Sequence, residues 1–519
     1  MNQMPAHALH SRFLRGLAKA PQNIAFRVGD HEITYEEAHH RALERAGSLL
    51  AGTDGPPAAV GVLAGKSVEA YTGVLAALYA GAAVVPLHAD FPAARTRYML
   101  QAASVGAVIA DEAGLRALAD AAPGDAPPVL APSAAAGAGT GRRLELRRDR
   151  ALAEPRSAAP SDTAFMLFTS GSTGRPKGVP VTHAATHHYF GILDRRYDFT
   201  EDDVFSQTFD LNFDCAMFDL FCAWGAGGSA HALPAHAYRD LPAFLAERRM
   251  TVWFATPSSI TLARRTRALA PGAFPTLRWS LFAGEALRAD DAADWQAAAP
   301  ASTLENIYGP TELTVTVTGH RWDPGTSPAR CLNGLVPIGR VHEGHDHLLI
   351  DADGEPTDGE GELVISGPQM TRGYLDATDD AGRFLTHDDR TWYRTGDRVR
   401  RIDDGELVYL GRLDAQVQVQ GWRVELSEIE HALRTCETVT DAVAVTRTGA
   451  DGTTELVVFH TGTPTPPAVL ARLLGGVLPK GMLPRAYRHL AEFPLNSNRK
   501  IDRRRLAEEA ALPAPSAAA

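Results

Sequence analysis

Apolar residues along the chain follow two rhythms. Short continuous runs at 60–63, 83–87, 107–110 and 164–168 read as buried strands, and the segments between them, such as 68–79, carry helical spacing. Strand, helix, strand is the signature of βαβ units and predicts a parallel sheet with helices on its faces. The alternation returns at 251–255, 280–283 and 303–308. Ahead of it, residues 8–51 begin with an amphipathic segment and a short strand at 24–28. Thr34-Tyr35-Glu36-Glu37 then spells a capping box, with Thr34 capping the Glu37 N–H and Glu37 reaching back. The helix that follows buries Ala38, Ala42, Ala46 and Leu49.

From about 325 to 412 the pattern shortens into strands broken by Asp351-Ala352-Asp353-Gly354 and Asp403-Asp404-Gly405, which predicts a β-rich subdomain. Beyond a hinge near Asp414 lies a small α+β module. Its Ser427-Glu428-Ile429-Glu430 reads as a second capping box opening a helix over 428–434. The expected fold class is α/β. A large N-terminal domain, 1–413, combines parallel sheets, flanking helices and the β-rich subdomain; a small mobile α+β C-terminal domain, 414–519, follows. Residues 119–161, rich in Ala, Pro, Gly and Arg, show no periodicity and read as a surface loop or mobile insert. The Gly137-Ala138-Gly139-Thr140-Gly141 piece within it has no strand before it and is not read as a nucleotide loop.

At 519 residues the chain exceeds one ordinary core, and 45% hydrophobic with 22% charged residues is a soluble globular profile. A net charge of −11 argues against nucleic acid as the main partner. No signal-like N-terminus or run of about 18 apolar residues occurs, so no membrane partner is expected. Cys215, Cys222, Cys331 and Cys436 lack CxxC spacing and read as reduced thiols of a cytoplasmic protein. His183 and His187 stand at i,i+4, but no glutamate completes HExxH, which favours a structural or solvent-facing pair.

The chemistry centres on Phe168-Thr169-Ser170-Gly171-Ser172-Thr173-Gly174-Arg175-Pro176-Lys177-Gly178. Glycines let backbone N–H groups approach an anion, hydroxyls add donors and lysine adds charge. It is a phosphate loop in physical terms, but not Walker A, since Gly178 rather than Ser or Thr follows Lys177. The loop resembles that of the adenylate-forming (ANL) superfamily: amino-acid adenylation domains, acyl-CoA synthetases and luciferases. The resemblance recurs in family order over most of the chain. Its later blocks are Asn306-Ile307-Tyr308-Gly309-Pro310-Thr311-Glu312, Gly361-Glu362-Leu363 with Gly373-Tyr374, and Tyr393-Arg394-Thr395-Gly396-Asp397. Gly411-Arg412-Leu413-Asp414 through Gly421-Trp422-Arg423 and Pro494-Leu495-Asn496-Ser497-Asn498-Arg499-Lys500 complete it.

The resemblance implies that ATP and Mg²⁺ are the cofactors. Thr169, Ser170, Gly171, Ser172, Thr173, Gly174 and Lys177 would then hold the β- and γ-phosphates. Thr311 would contact the α-phosphate, Glu312 the Mg²⁺, and Tyr308 of the Tyr308-Gly309 turn would stack on adenine. Gly284 and Asn306 would line the base site, Asp397 would accept from the ribose hydroxyls, and Arg412 would sit beside ribose and phosphate. Lys500 would be the catalytic cation bridging carboxylate and α-phosphate. The sequence departs from the family at Arg499, where glycine is usual, and at Gln418, where many relatives have lysine. In the family that second segment enters the active site for thioester formation, after the small domain rotates about a hinge matching Asp414.

The substrate signal is Phe213-Asp214-Cys215-Ala216-Met217-Phe218-Asp219, which resembles amino-acid adenylation domains. There the residue matching Asp214 binds the α-ammonium; a fatty-acid ligase has no reason to desolvate a carboxylate at that place. Asp219 is expected to be structural. The carried-over lining, Cys215, Phe218, Phe254, Leu281, Ala283, Ile307, Val315 and Thr316, is uncharged and favours a small amino acid, alanine ahead of glycine or serine. Leu474-Gly475-Gly476 lacks the serine of a carrier attachment motif, and 19 residues after Lys500 are too few for a fused carrier domain. The resemblance thus implies a free-standing ligase loading a separate carrier protein through its phosphopantetheine arm. The alternative is an acyl-, aryl-acid or β-amino-acid ligase of the same superfamily.

Overall fold

The computed structural model describes residues 7–132, 142–171, 174–402, 404–414, 416–449, 451–495 and 501–512. A seven-stranded sheet runs in the order Arg143–Leu144, Val129–Leu130, Val105–Ala110, Ala59–Leu63, Ala83–Leu87, Thr163–Thr169, Lys177–Thr182. Neighbours are parallel as far as Thr163–Thr169, as helical crossovers require, and Lys177–Thr182 folds back antiparallel. A nine-stranded sheet carries Thr303–Tyr308, Trp279–Phe282, Val252–Ala255, Val204–Gln207 and Ser229–Ala232 side by side and parallel.

Helices Val68–Tyr79 and Cys215–Ala226 are buried over nearly their whole length. Helices apolar on every side belong inside a domain. One continuous core joins them to both sheets, with Val62, Val84 and Leu167 on one side and Phe205, Val252 and Leu281 on the other. The β-rich region expected at 325–412 is an antiparallel sheet of short strands around Leu363, Ile365, Tyr393 and Val399. Beyond residue 416 come the hairpin Gln416–Val419/Trp422–Glu425, helix Leu426–Arg434 and a three-stranded sheet. They share their own core around Val424, Ile429, Leu433, Val458 and Leu470. The architecture is the α/β class expected.

Three local expectations need correction. Thr34 accepts from the Glu37 N–H at 3.2 Å, but the Glu37 carboxylate pairs with Arg41 one turn on, at 2.5 Å, rather than reaching back. A cation at i+4 competes better for a carboxylate than a neutral amide does. The second capping box does not form. Its helix starts at Leu426 without a side-chain cap, and Glu430 turns inward to accept from the Ala444 N–H and pair with Arg503. The stretch 119–161 is no free loop. Val129–Leu130 and Arg143–Leu144 extend the seven-stranded sheet and bury Leu130 and Leu144. Residues 133–141, which include the Gly137 piece, lie outside the described residues. No helix among the described residues is long and apolar enough to cross a membrane.

Candidate active site

The carboxyl ends of the parallel strands open into a cavity of 670 Å³, the usual place for a ligand in open α/β sheets. Strand Thr163–Thr169 delivers Thr169 and Ser170, Trp279–Phe282 delivers Ala283 and Gly284, and Thr303–Tyr308 delivers Asn306, Ile307, Tyr308, Gly309 and Thr311. The loop after Val204–Gln207 brings Asp214 and Cys215. Residues 416–423 of the C-terminal hairpin close the opposite wall.

In the phosphate loop, the Ser170 hydroxyl is buried without a partner among the described residues, a donor free for an anion. A Cβ on Gly171 would sit 2.1 Å from the Arg175 carbonyl oxygen, and Gly174, at φ +80°, abuts His431 of the C-terminal module. Only glycine fits either place. Ser172 and Thr173 lie outside the described residues. Lys177 is not on the cavity wall: it is buried 5.3 Å from the Tyr374 ring centre and 3.8 Å from Asp379, and burial lowers its pKa.

Tyr308 donates to Asp397 at 2.5 Å, and Arg412 reaches the other carboxylate oxygen at 2.9 Å. Burial outweighs these bonds and leaves Asp397 above the ordinary aspartate range. The Asn306 amide donates to the Pro337 carbonyl at 2.8 Å, tying the floor of the cavity to the next loop. Glu312 is 1% exposed; Tyr374 donates to Oε1 at 2.6 Å and Arg423 to Oε2 at 2.8 Å. Burial pushes this carboxyl up, but the Arg423 charge and the two hydrogen bonds overrule it and hold it at about 2.

At the far end, burial pushes the Asp214 carboxyl up to about 6, against hydrogen bonds from Thr311 and Cys215. Such a group is expensive to ionise alone and ready for a cation. Cys215, Ala283, Ile307 and Val315 line the cavity with it. Phe218, Phe254 and Leu281 do not; they are fully buried behind the wall, and Thr316 is buried with its hydroxyl 3.2 Å from that of Tyr189. Phe209, which lines the cavity, packs on Phe254 at 4.9 Å between ring centres.

Several residues here escaped the sequence reading. Phe209, Asn212 and Phe213 line the cavity from the loop before Asp214. Glu285 accepts from the Ser258 and Gly421 N–H groups. Trp422 stands edge-on to Phe213 at 5.0 Å. Buried Gln369 donates to the carbonyls of Leu313, Thr314 and Thr316. It thereby braces a turn in which Thr314 and Val315 have φ of +58° and +67°, costly for β-branched residues. Of these, Phe213, at the head of the substrate signal, Trp422, in the Gly421-Trp422-Arg423 block, and Glu285, beside Gly284, carried a local signal for place though not for role. Lys500 lies outside the described residues.

Among the described residues no cluster of three or more His, Cys, Asp or Glu could hold a metal. Mg²⁺ does not need one, since it commonly binds one or two protein carboxylates together with substrate phosphates and water. Buried, ionised Glu312 can supply one such carboxylate, although it is not itself on the cavity wall.

Sheets, cavity and phosphate loop together define an adenylate-forming fold. The family model described as "AMP-binding enzyme" matches residues 13–375, and the chain belongs to that family of ATP-using, adenylate-forming ligases. The crystal structure of IdnL7 is 56% identical, with a TM-score of 0.77 over 98% of this chain and 99% of that one. The Vibrio cholerae adenylation domain AlmE, solved with glycyl-adenosine-5'-phosphate, is 27% identical, with a TM-score of 0.86 over 98% and 99%. Phenyloxazoline synthase MbtB of Mycobacterium sp. (strain MCS) is 32% identical over 514 residues, 97% of this chain and 42% of that protein. The chain thus spans less than half the length of that relative.

Proposed function

We propose that this protein activates a small amino acid, alanine first and glycine or serine next, as its aminoacyl-adenylate and passes the acyl group to a separate carrier protein. The observation that carries the reading is Asp214, a cavity carboxyl raised to about 6 among apolar neighbours. An α-ammonium beside it would supply the missing charge. The neighbour AlmE, which holds a glycyl-adenylate, supports a small amino acid.

In the first step a carboxylate oxygen of the amino acid attacks the α-phosphorus of ATP, and pyrophosphate leaves. Thr169, Ser170 and the glycine-rich loop hold the departing phosphates, with Lys177 supporting the loop from behind. Asp397 and Arg412 seat the ribose, while Gly284, Asn306 and Tyr308 frame the base. Glu312 would hold Mg²⁺, which when bound neutralises phosphate charge; Thr311 and Lys500 steady the α-phosphate. In the second step the carrier's phosphopantetheine thiol attacks the acyl carbonyl, losing its proton, and AMP leaves. The 414–519 module carries both Lys500 and the hairpin that stands in the cavity, and its reorientation near Asp414 would exchange one for the other.

ATP–pyrophosphate exchange across amino acids and simple carboxylic acids tests the first step. Exchange with alanine, glycine or serine is expected. Exchange only with acids lacking an amino group would assign the chain to the acyl- and aryl-acid ligases. Mass spectrometry of a holo carrier tests the second: the added acyl mass should be released by hydroxylamine, and a resistant adduct would exclude the thiol as acceptor.

A further inference from the structure

Lys66 stands one residue ahead of the Ser67 cap of helix Val68–Tyr79, where a cation opposes the helix dipole. Its side chain is largely withdrawn from solvent, and burial lowers its pKa. A charge kept in so unfavourable a place is held there by what it touches. Lys66 Nζ donates to the carbonyls of Thr208 at 2.6 Å, Gln207 at 3.1 Å and Leu233 at 3.4 Å. An ammonium has three N–H donors, and these carbonyls take all three. They lie at, or one residue beyond, the carboxyl ends of strands Val204–Gln207 and Ser229–Ala232. Nearby carboxyls do less. Asp210 stands at 3.9 Å, and burial holds fully buried Asp219 well above the ordinary aspartate range.

The residues that Lys66 pins begin the loop to Asp214. The Gln207 side chain accepts from the Tyr71 hydroxyl at 2.7 Å and donates to the Phe209 carbonyl. The Thr208 hydroxyl donates to the Phe254 carbonyl. Phe209 follows directly and lines the cavity with Asn212, Phe213 and Asp214, whereas Lys66, Gln207 and Thr208 are not on its wall. We propose that Lys66 is a positioning residue that sets the amino-acid preference, a role that rests on the amino-acid reading above. It holds 207–209 so that Phe209 and Asp214 present a pocket for a small side chain. Without the cation, the Thr208 and Leu233 carbonyls lose a charge-assisted donor and the loop gains freedom. The amino acid would feel that loop. The nucleotide, seated by Thr169, Asp397 and Arg412, would not.

Pyrophosphate exchange with Lys66→Met, similar in length but uncharged, separates the two. KM for the preferred small amino acid should rise about tenfold to 10²-fold, the scale on which a misplaced positioning group acts. KM for ATP should stay unchanged. The kcat/KM preference for that amino acid over leucine should fall about tenfold or more, as in a pocket that no longer excludes extra methylenes. Lys66→Arg, which keeps a cation with several donors, should restore part of both. Should Lys66→Met fold poorly, Thr208→Val, which removes one tether at nearly constant shape, should shift the preference in the same direction. Amide hydrogen exchange at 208–214 in the full chain should quicken in Lys66→Met, with strand Thr303–Tyr308 unchanged. A lower Tm with both KM values and the preference unchanged would make Lys66 a structural cation and overturn the proposal. Equal rises in the two KM values would overturn it as well, as general damage to the site. Were the wild type to use only acids lacking an amino group, the amino-acid reading would fail. Amide exchange at 208–214 and the split between acid and ATP KM would still decide whether Lys66 positions the loop.

Discussion

Arg95 and Glu428 form a 2.7 Å ion pair between helices Ala93–Ala102 and Leu426–Arg434, their side chains 7% and 1% exposed. The pair joins the large core to the C-terminal module, yet Arg95 Nε and Glu428 Oε2 have no partner. A buried pair left half-satisfied contributes little net stability, but removing one member strands the other charge. Arg95→Ala should therefore cost ~3–5 kcal/mol. The joint Arg95→Leu, Glu428→Leu change should cost far less. Calorimetry on the single and double variants checks this; a single variant as stable as the parent would show that the charge is not buried in solution.

Asp214 yields two linked expectations. Asp214→Ala should lower kcat/KM for the amino acid by about 10²- to 10³-fold, the cost of stranding a buried ammonium. The pH profile follows from its raised value. Below about 6 the carboxyl of the empty enzyme is protonated, so kcat/KM should fall on the acid side of that value. For stability the sign is opposite. A folded value above the unfolded one favours the fold at low pH and loses that advantage as pH rises through about 6. Asp214→Asn should accordingly raise Tm at pH 8 and change it little at pH 4. Reduced stability with unchanged kcat/KM would make Asp214 a structural cap instead.

Lys500→Ala should cut adenylate formation at least about 10²-fold, equivalent to about 2.7 kcal/mol of barrier. ATP binding should change little, since the described nucleotide-facing residues belong to the large core. Pyrophosphate exchange near the wild-type rate would remove this lysine from the mechanism.

Gln369→Leu removes three donated hydrogen bonds from the turn at Thr314 and Val315. The Thr314 carbonyl keeps the Thr316 N–H as a donor, so the carbonyls of Leu313 and Thr316 are the ones left short. Each buried carbonyl left unpaired costs ~1–3 kcal/mol, so a loss of a few kcal/mol is expected. Because Val315 lines the cavity, KM for the amino acid should rise as well. Thermal melts and steady-state kinetics on one sample separate the effects; an unchanged KM would mean that the turn keeps its shape without the brace.

Strands such as Ala83–Leu87 and Thr303–Tyr308, and turns such as Asp351-Ala352-Asp353-Gly354, were legible in the sequence because their causes are local. An apolar run needs two buried faces, and a glycine follows a reversal. The cavity wall was legible only where it follows directly from a strand end, as at Thr169, Ala283 and Tyr308. Phe218, Phe254 and Leu281 are buried behind it, with Phe209 from a separate loop packed on Phe254, and no spacing reveals that layering. Glu430 had the right spacing for a cap, yet the distant Arg503 and the Ala444 N–H claimed it. The short strands at 129–130 and 143–144 are too brief for a period; they are strands only because the sheet edge is there to receive them.

The helix Cys215–Ala226 begins at the cavity and then runs through the middle of the core, buried from Cys215 to Gly225. Selectivity and foldability are thereby entangled along one element. An enlarged or shrunken side chain at Cys215 or Phe218 disturbs packing on several sides at once, and close-packed interiors resist such changes. Asn212 and Phe213 touch the same cavity from the preceding loop and are only partly buried. A lineage or an engineer seeking a new substrate has its cheapest route there, with the helix as the part that must be inherited almost unaltered.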